Sequence, residues 1–418
     1  MPFPTAHPSP VRLGWLDMLR GVAALVVAAH HGAAYFTPDQ HTVVNTWFNP
    51  GKYGVLLFFL ISGYIIPASL ERHGRLRAFW IGRATRIYPL LLVCLAATAV
   101  PAAFGAWRLH GGLDDAGTPV AIVAHLTMLQ DLLAVPSALN VLWTLSYELV
   151  FYFLVAALFV AGRHRASAAT TMAFAVGALA LGGLLPEQWI SDNAGIAPVV
   201  LGAFAVMALA IAAAVSGRAG IARAGALAGG VFGLCLLLFN SRAGVWESVS
   251  ILAVMFLGTA LYRAEHGQGR AWTAALATAS VVGCSVAAGL VHGYPVLDGT
   301  LVRQFTADWI VPLLAALLSF AAGWAVRRRR VPGPLLWLGA ISFSVYLVHP
   351  ILLLPVHEHL VVGPTRAVWL AVFLGAVLAV SWATYRWIEL PFQRWGKRLA
   401  APSPAGEKER QEAVLAAR

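Results

Sequence analysis

Charge is what this chain has least of. Only 11% of its 418 residues are Asp, Glu, Lys or Arg, where a soluble domain carries about 25%. With 59% hydrophobic residues and a mean hydropathy of +0.74, that shortage excludes a soluble globular protein. Acidic residues are the scarcer sign: 18 Asp and Glu stand against 29 Lys and Arg, a net charge of +11. Cysteine is also scarce. Cys94, Cys235 and Cys284 lie far apart in apolar runs, which excludes a disulfide framework and a cysteine-based zinc site, and no other metal set is visible. The opening MPFPTAHPSP is polar and proline-containing, unlike a cleavable signal. No fixed-period repeat and no second soluble domain is visible.

What is abundant is apolar sequence in runs of about 20 residues, the length that crosses a bilayer. Such runs fall at 15–36, 53–71, 88–107, 140–162, 167–185, 196–216, 221–239, 245–263, 271–292, 304–326, 334–356 and 367–390. The expected fold is an all-α polytopic integral membrane protein, a bundle of about 10–12 transmembrane helices. The stretch 119–135 is too short and too polar to cross and reads as an interfacial or re-entrant helix. With the N-terminus inside and alternating spans, the inside loops collect Arg72, Arg75, Arg77, Arg83, Arg86, Arg163, Arg165, Arg218, Arg223, Arg263, Arg270 and the run from Arg327 to Arg330. The outside loops receive only Lys52, Arg108, Arg242, Arg303 and Arg366. That asymmetry follows the positive-inside rule, puts both termini in the cytoplasm, and accounts for the basic charge without a nucleic acid. The chain divides into a short cytoplasmic segment 1–14, a membrane domain 15–394 and a cytoplasmic tail 395–418.

Inside the apolar runs stand a few ionisable groups, which are expensive in lipid and usually face a protein interior or a wet cavity. In LDMLRGVAALVVAAHH, Leu16 to His31, Arg20 and His31 are eleven apart. They fall within about 20° on a helix and about 16 Å apart along it. Asp17 is within reach of Arg20 on the same face. His31 is a candidate general base, because imidazole titrates near neutrality; His30 lies about 80° away from the face of Arg20. GVLLFFLISGYII, Gly54 to Ile66, carries Ser62 and Gly63, read first as small-residue helix packing. In LRAFWIGRATRIYP, Arg83 and Arg86 share a face and offer forks for phosphate, with Phe79, Trp80 and Tyr88 able to flank a nucleotide. In NVLWTLSYELVFYF, Thr144, Glu148 and Tyr152 form one stripe, and Glu148 is an intramembrane carboxylate able to orient a histidine or accept a hydroxyl proton. Ser342, Tyr346 and His349 share a later helical face, and Glu389 reads as an interface anchor.

Together, in this order, these clusters resemble the membrane-bound acyltransferase-3 family, which contains sugar, polysaccharide and macrolide O-acyltransferases. The resemblance runs from Leu16 to about Arg394 and rests on five patterns. These are Arg-x10-His at Arg20 and His31, the GV-x-x-FF-x-x-SG-Y type helix at Gly54 to Tyr64, and Arg-x-x-Arg with IYP at Arg83 and Arg86. The others are W-x-LS-x-E ending at Glu148 and LG-x-IS-x-S-x-YL-x-H from Leu338 to His349. The family is expected to have a ten-helix core, and an SGNH-type hydrolase domain is absent from these residues. The resemblance implies an inner-membrane enzyme taking an acyl group, most simply acetyl from acetyl-CoA, to a hydroxyl of a carbohydrate or glycosylated acceptor. It implies that Arg83 and Arg86, with Tyr88, receive the acyl-CoA from the cytoplasm and that His31 is the base. Glu148 would hold the histidine or the acceptor, and Arg20 would orient the site or stabilise negative charge; a covalent acyl-histidine route stays open. The rival reading is a proton-coupled transporter with Arg20, His31 and Glu148 as an ion relay.

Overall fold

Each of the twelve apolar runs falls on helix in the computed structural model, which describes residues 13–109, 113, 117–184, 186–294, 299–359 and 366–401. The N-terminal segment before Leu13 and the tail beyond Ala401 lie outside the described residues. The helices are α1 (Gly14–Phe36), α2 (Pro38–Asn45), α3 (Pro50–His73), α4 (Leu76–Ala103), α5 (Thr118–Thr127) and α6 (Trp143–Val160). They continue as α7 (Ser167–Leu181), α8 (Trp189–Ala194), α9 (Ile196–Val215), α10 (Ala219–Phe239), α11 (Val245–Glu265) and α12 (Ala271–Ala288). The last are α13 (Gly299–Phe305), α14 (Val311–Ala325), α15 (Gly333–Ala340), α16 (Ser342–His359), α17 (Arg366–Thr384) and α18 (Leu390–Ala400). No strand occurs among the described residues.

The protein is an all-α polytopic membrane protein. Among the described residues nine helices are long and apolar enough to cross a bilayer, and ten if α15 and α16, bent by 65°, form one span. The remaining two runs are helical but fall short for different reasons. α1 has the length, 23 residues, but Asp17, Arg20, His30 and His31 make it polar; α7 has only 15 residues. The 119–135 stretch is the ten-residue α5 followed by a 3-10 turn, Gln130–Leu133, so it does not cross.

Close helix approach sets the core. α3 and α11 cross so tightly that a Cβ on Gly63 would sit 1.7 Å from the Met255 carbonyl oxygen, and one on Gly258 2.1 Å from that of Leu60. The Thr259 hydroxyl donates to the Gly63 carbonyl at 2.8 Å across the same contact. Small residues let membrane helices approach in this way, so Gly63 is a packing residue. α1 lies in a cleft between α3, α15 and α16, where a Cβ on Gly339 would stand 2.1 Å from the Asp17 carbonyl oxygen.

The two ends of the bundle differ in their ion pairs. At one end Arg263, 2% exposed, donates to Glu71, to the Gln268 side chain at 2.7 Å, to Ser167 at 2.8 Å and to the His164 carbonyl at 2.7 Å. Nearby ties join Arg327 to Glu265 at 2.7 Å and Arg75 to the Ala400 carbonyl at 3.0 Å. At the opposite end Lys52 pairs with Glu247, Arg242 stands 3.8 Å from Asp131, and Asn49 donates to Asp308 at 3.1 Å.

Candidate active site

His31 lies in the second-last turn of α1 and lines an open cavity of about 910 Å³ at the end away from the arginine loops. Lys52, Arg108, Asp131, Trp143, Arg242 and Glu247 line the same cavity. The His31 Nδ1 lies 2.8 Å from Nε2 of His349, a residue of α16 with no exposed surface. His349 Nδ1 is in turn 2.9 Å from the Val345 carbonyl oxygen. The imidazole of His31 therefore has one nitrogen engaged and the other left for the cavity. Asp131 is buried in the wall, at 5% exposure. Burial pushes its carboxyl up to about 6, with Glu247 adding to the push and Arg242 opposing it.

A second, smaller cavity of about 70 Å³ lies deeper, lined by Arg20, Arg86, Glu148, Tyr152, Thr144 and Tyr346 among others. Glu148, on the second turn of α6, accepts a short hydrogen bond from Tyr152 one turn on. Arg20 has Asp17, Glu148 and Glu389 as its anionic neighbours and Arg86 as a cationic one. Between the two cavities stands a hydrogen bond of 3.0 Å joining the Thr144 and Tyr346 hydroxyls. Both hydroxyls also reach the Val141 carbonyl, Thr144 at 3.0 Å and Tyr346 at 3.3 Å. Tyr346 is one helical turn from His349 on the same helix, with ring centroids 6.1 Å apart.

The structure thus divides the residues read from sequence. Arg20 and Glu148 come together with Arg86; His31 does not join them, and its ring partner is His349, where the sequence reading had Glu148 as one way to hold the histidine. The three-residue ion relay of the transporter reading is split between two cavities in the same way. Arg83 and Arg86 are not in a loop but about two and three turns into α4, a 28-residue helix that continues through Pro89. Arg83 lies over the rings of Phe79 and Tyr152, 5.8 and 5.6 Å from their centroids.

Tyr88 is placed elsewhere. Its hydroxyl donates to the Leu126 carbonyl at 2.9 Å, because two residues on a helix turn it about 200° from the side of Arg86. Phe79 and Trp80 pack on Tyr152 and Phe153, with centroids 5.8 and 5.0 Å apart, and so are core. Glu389 is not an interface anchor: it is 2% exposed and accepts a short hydrogen bond from Ser344. It sits at the end of a π turn, Tyr385–Glu389, the kind of insertion that re-aims a side chain within a helix.

Sequence reading placed His349 on a polar face and at the end of the Leu338–His349 pattern without giving it a role, and overlooked Asp131 and Glu247. The signal for His349 was available, a histidine at the close of an apolar run before Pro350.

An acyltransferase domain, that of the acyltransferase-3 family, matches residues 13–386. The chain belongs to the acyltransferase-3 family. It is 33% identical to the acyltransferase MdmB of Streptomyces mycarofaciens over 153 residues, 35% of this chain and 38% of that protein. It is 28% identical over 179 residues to the putative peptidoglycan O-acetyltransferase YrhL of Bacillus subtilis, covering 40% of this chain and 26% of that one. To the peptidoglycan O-acetyltransferase OatA of Listeria monocytogenes it is 27% identical over 154 residues, 33% of this chain and 23% of the relative. The matched regions are thus well under half of each relative's length. No solved structure matches the chain.

Proposed function

We propose that the protein is a membrane O-acyltransferase that moves an acyl group, most simply acetyl, from acyl-CoA to a hydroxyl of a carbohydrate or glycosylated acceptor. The observation that carries this reading is the position of His31. It faces a cavity large enough for a sugar, is held through Nδ1 by a buried partner, and lies above the Arg20, Arg86 and Glu148 cluster. Family membership and relatives named as O-acetyltransferases support the same chemistry.

In this reading the arginine-rich end is cytoplasmic, as the positive-inside rule predicts, and the His31 cavity opens outward across the cell membrane. The acyl-CoA phosphates meet Arg83 and Arg86, whose guanidinium forks suit bidentate phosphate contact. The pantetheine arm then follows the face of α1 from Arg20 toward His31, about 16 Å by helical rise. The inner cavity, at about 70 Å³, has room for a few waters and not for that arm. Binding therefore requires Phe58, Thr144 and Tyr346 to part.

The acceptor hydroxyl gives its proton to His31 and its oxygen attacks the thioester carbonyl. The carbon–sulfur bond then breaks, and the departing thiolate recovers the proton from His31. Arg20, between carboxylates, orients the arm, and the Glu148 carboxylate offsets the positive charge of Arg20 and Arg86.

The test is thiol release from acetyl-CoA by purified protein in nanodiscs, supplied with a crude extract of cell-envelope glycans. His31→Ala is expected to lose at least about 10²-fold in rate, the usual worth of a general base, with its thermal unfolding unchanged. Equal rates in the two proteins would remove His31 from the chemistry.

A further inference from the structure

We propose that His349 is the positioning residue of the reaction: it fixes His31 in the tautomer whose bare Nε2 faces the acceptor cavity. The inference rests on the reading of His31 as base, and its own support is geometric. The chain of contacts runs from the Val345 carbonyl to His349 Nδ1 at 2.9 Å, and from His349 Nε2 to His31 Nδ1 at 2.8 Å. The two rings lie nearly parallel, with centroids 5.1 Å apart and 21° between planes.

A carbonyl oxygen only accepts, so His349 Nδ1 carries the hydrogen. With no exposed surface, His349 is held neutral, since a buried cation without an anionic partner is costly. A neutral imidazole with its hydrogen on Nδ1 has a lone pair on Nε2. His31 Nδ1 must then be the donor, and a neutral His31 that donates through Nδ1 has its own lone pair on Nε2. The opposite polarity would set the Nδ1 lone pair of His349 against the Val345 oxygen at 2.9 Å.

The same contact serves the transfer step. When the acceptor O–H bond breaks, the proton forms a new N–H bond at His31 Nε2 and leaves His31 a cation. Its Nδ1–H already points at the His349 lone pair, so this hydrogen bond becomes charge-assisted and stronger. The electron pair freed on the acceptor oxygen makes the new ester bond, the thioester sulfur leaves with the pair of the carbon–sulfur bond, and the proton returns to it. The arrangement is that of a base oriented by a third group, with a neutral histidine in place of a carboxylate.

The experiment compares wild type, His349→Leu, His349→Gln and His31→Ala in nanodiscs, reading thiol release, the KM for acetyl-CoA, thermal unfolding and the 15N spectrum of labelled histidine. A glutamine oxygen can still accept from His31 Nδ1, and leucine cannot. The expected result is a kcat loss of about 10²-fold or more in His349→Leu, with KM and unfolding unchanged and recovery to within about tenfold in His349→Gln. The wild-type spectrum should show His31 with a bare Nε2, and His349→Leu should show mixed tautomers. A fully active His349→Leu, a His349→Gln no better than leucine, or a wild-type His31 protonated at Nε2 would each overturn the proposal. An active His31→Ala would instead overturn the reading it rests on, and the spectrum would still decide the tautomer.

Discussion

At the scale of single residues, the site is governed by what each polar group finds when it is taken out of water. Arg83 and Arg86 are the clearest case for substrate binding. Replacing both with alanine is expected to raise the KM for acetyl-CoA about tenfold or more, since hydrogen bonds to charged groups are worth about 1.5–3 kcal/mol each. An unchanged KM would place the donor elsewhere.

Asp131 makes a different prediction. Burial raises its folded-state pKa from 3.8 to about 6, so the folded protein holds that proton more tightly than the unfolded chain. Its contribution to stability is full below about pH 4 and is lost as the pH rises through about 6. Asp131→Asn should flatten that part of the curve in thermal unfolding followed from about pH 4 to 8; an unaltered curve would mean that Asp131 is not the group responsible. Much of this scale was legible in the sequence: Arg20, His31 and Glu148 stood out as ionisable groups in apolar runs, and Arg86 as one of an arginine pair beside the run at 88–107. Their pairing was not. Helical spacing gives the angle between Arg20 and His31, but the partner of each depends on depth, and about 16 Å along the axis is enough to put them in separate cavities. Lys52 and Glu247 pair across 195 residues, a separation that no local pattern reports.

At the scale of elements, glycine contacts decide which helices move together. α3 and α11 are locked face to face at Gly63 and Gly258, whereas α16 meets α15 at a 65° bend and contains Pro350 and Pro355. The widening that the proposed acyl-CoA path requires therefore falls to α16, which carries Tyr346. Gly63→Ala is expected to destabilise the protein by roughly 1–3 kcal/mol or more, the cost of overpacking, seen as a lower unfolding temperature and poorer insertion. Wild-type stability in that variant would mean that the crossing is looser than its geometry indicates. The packing role of Gly63 was readable from composition, whereas Ser62, read with it, lines the inner cavity. The length of α4 was not readable: the apolar run begins only at 88 and left Arg83 and Arg86 in a loop, yet the helix runs through both because they have a cavity and aromatic faces to occupy.

At the scale of the whole molecule, the protein is two-sided. Arginines gather at one end, the His31 cavity opens at the other, and the proposed chemistry falls where the donor's path from the arginine end meets the acceptor cavity. The fold class and the position of all twelve apolar runs were legible because hydropathy is a strong signal in lipid. The number that truly cross was less so, since α1 carries Asp17, Arg20, His30 and His31 and α7 is short. A reporter cysteine at the end of α18 should be reachable only from the cytoplasmic face if the arginine end lies there; labelling from outside in intact cells would reverse the topology. The most direct measurement uses sealed membrane vesicles of known orientation, with impermeant acetyl-CoA added outside and glycan acceptor on both sides. His31-dependent thiol release is expected from inverted vesicles, whose cytoplasmic face is outward, and none from right-side-out vesicles. Release from right-side-out vesicles alone, or release that survives His31→Ala, would contradict the proposed mechanism.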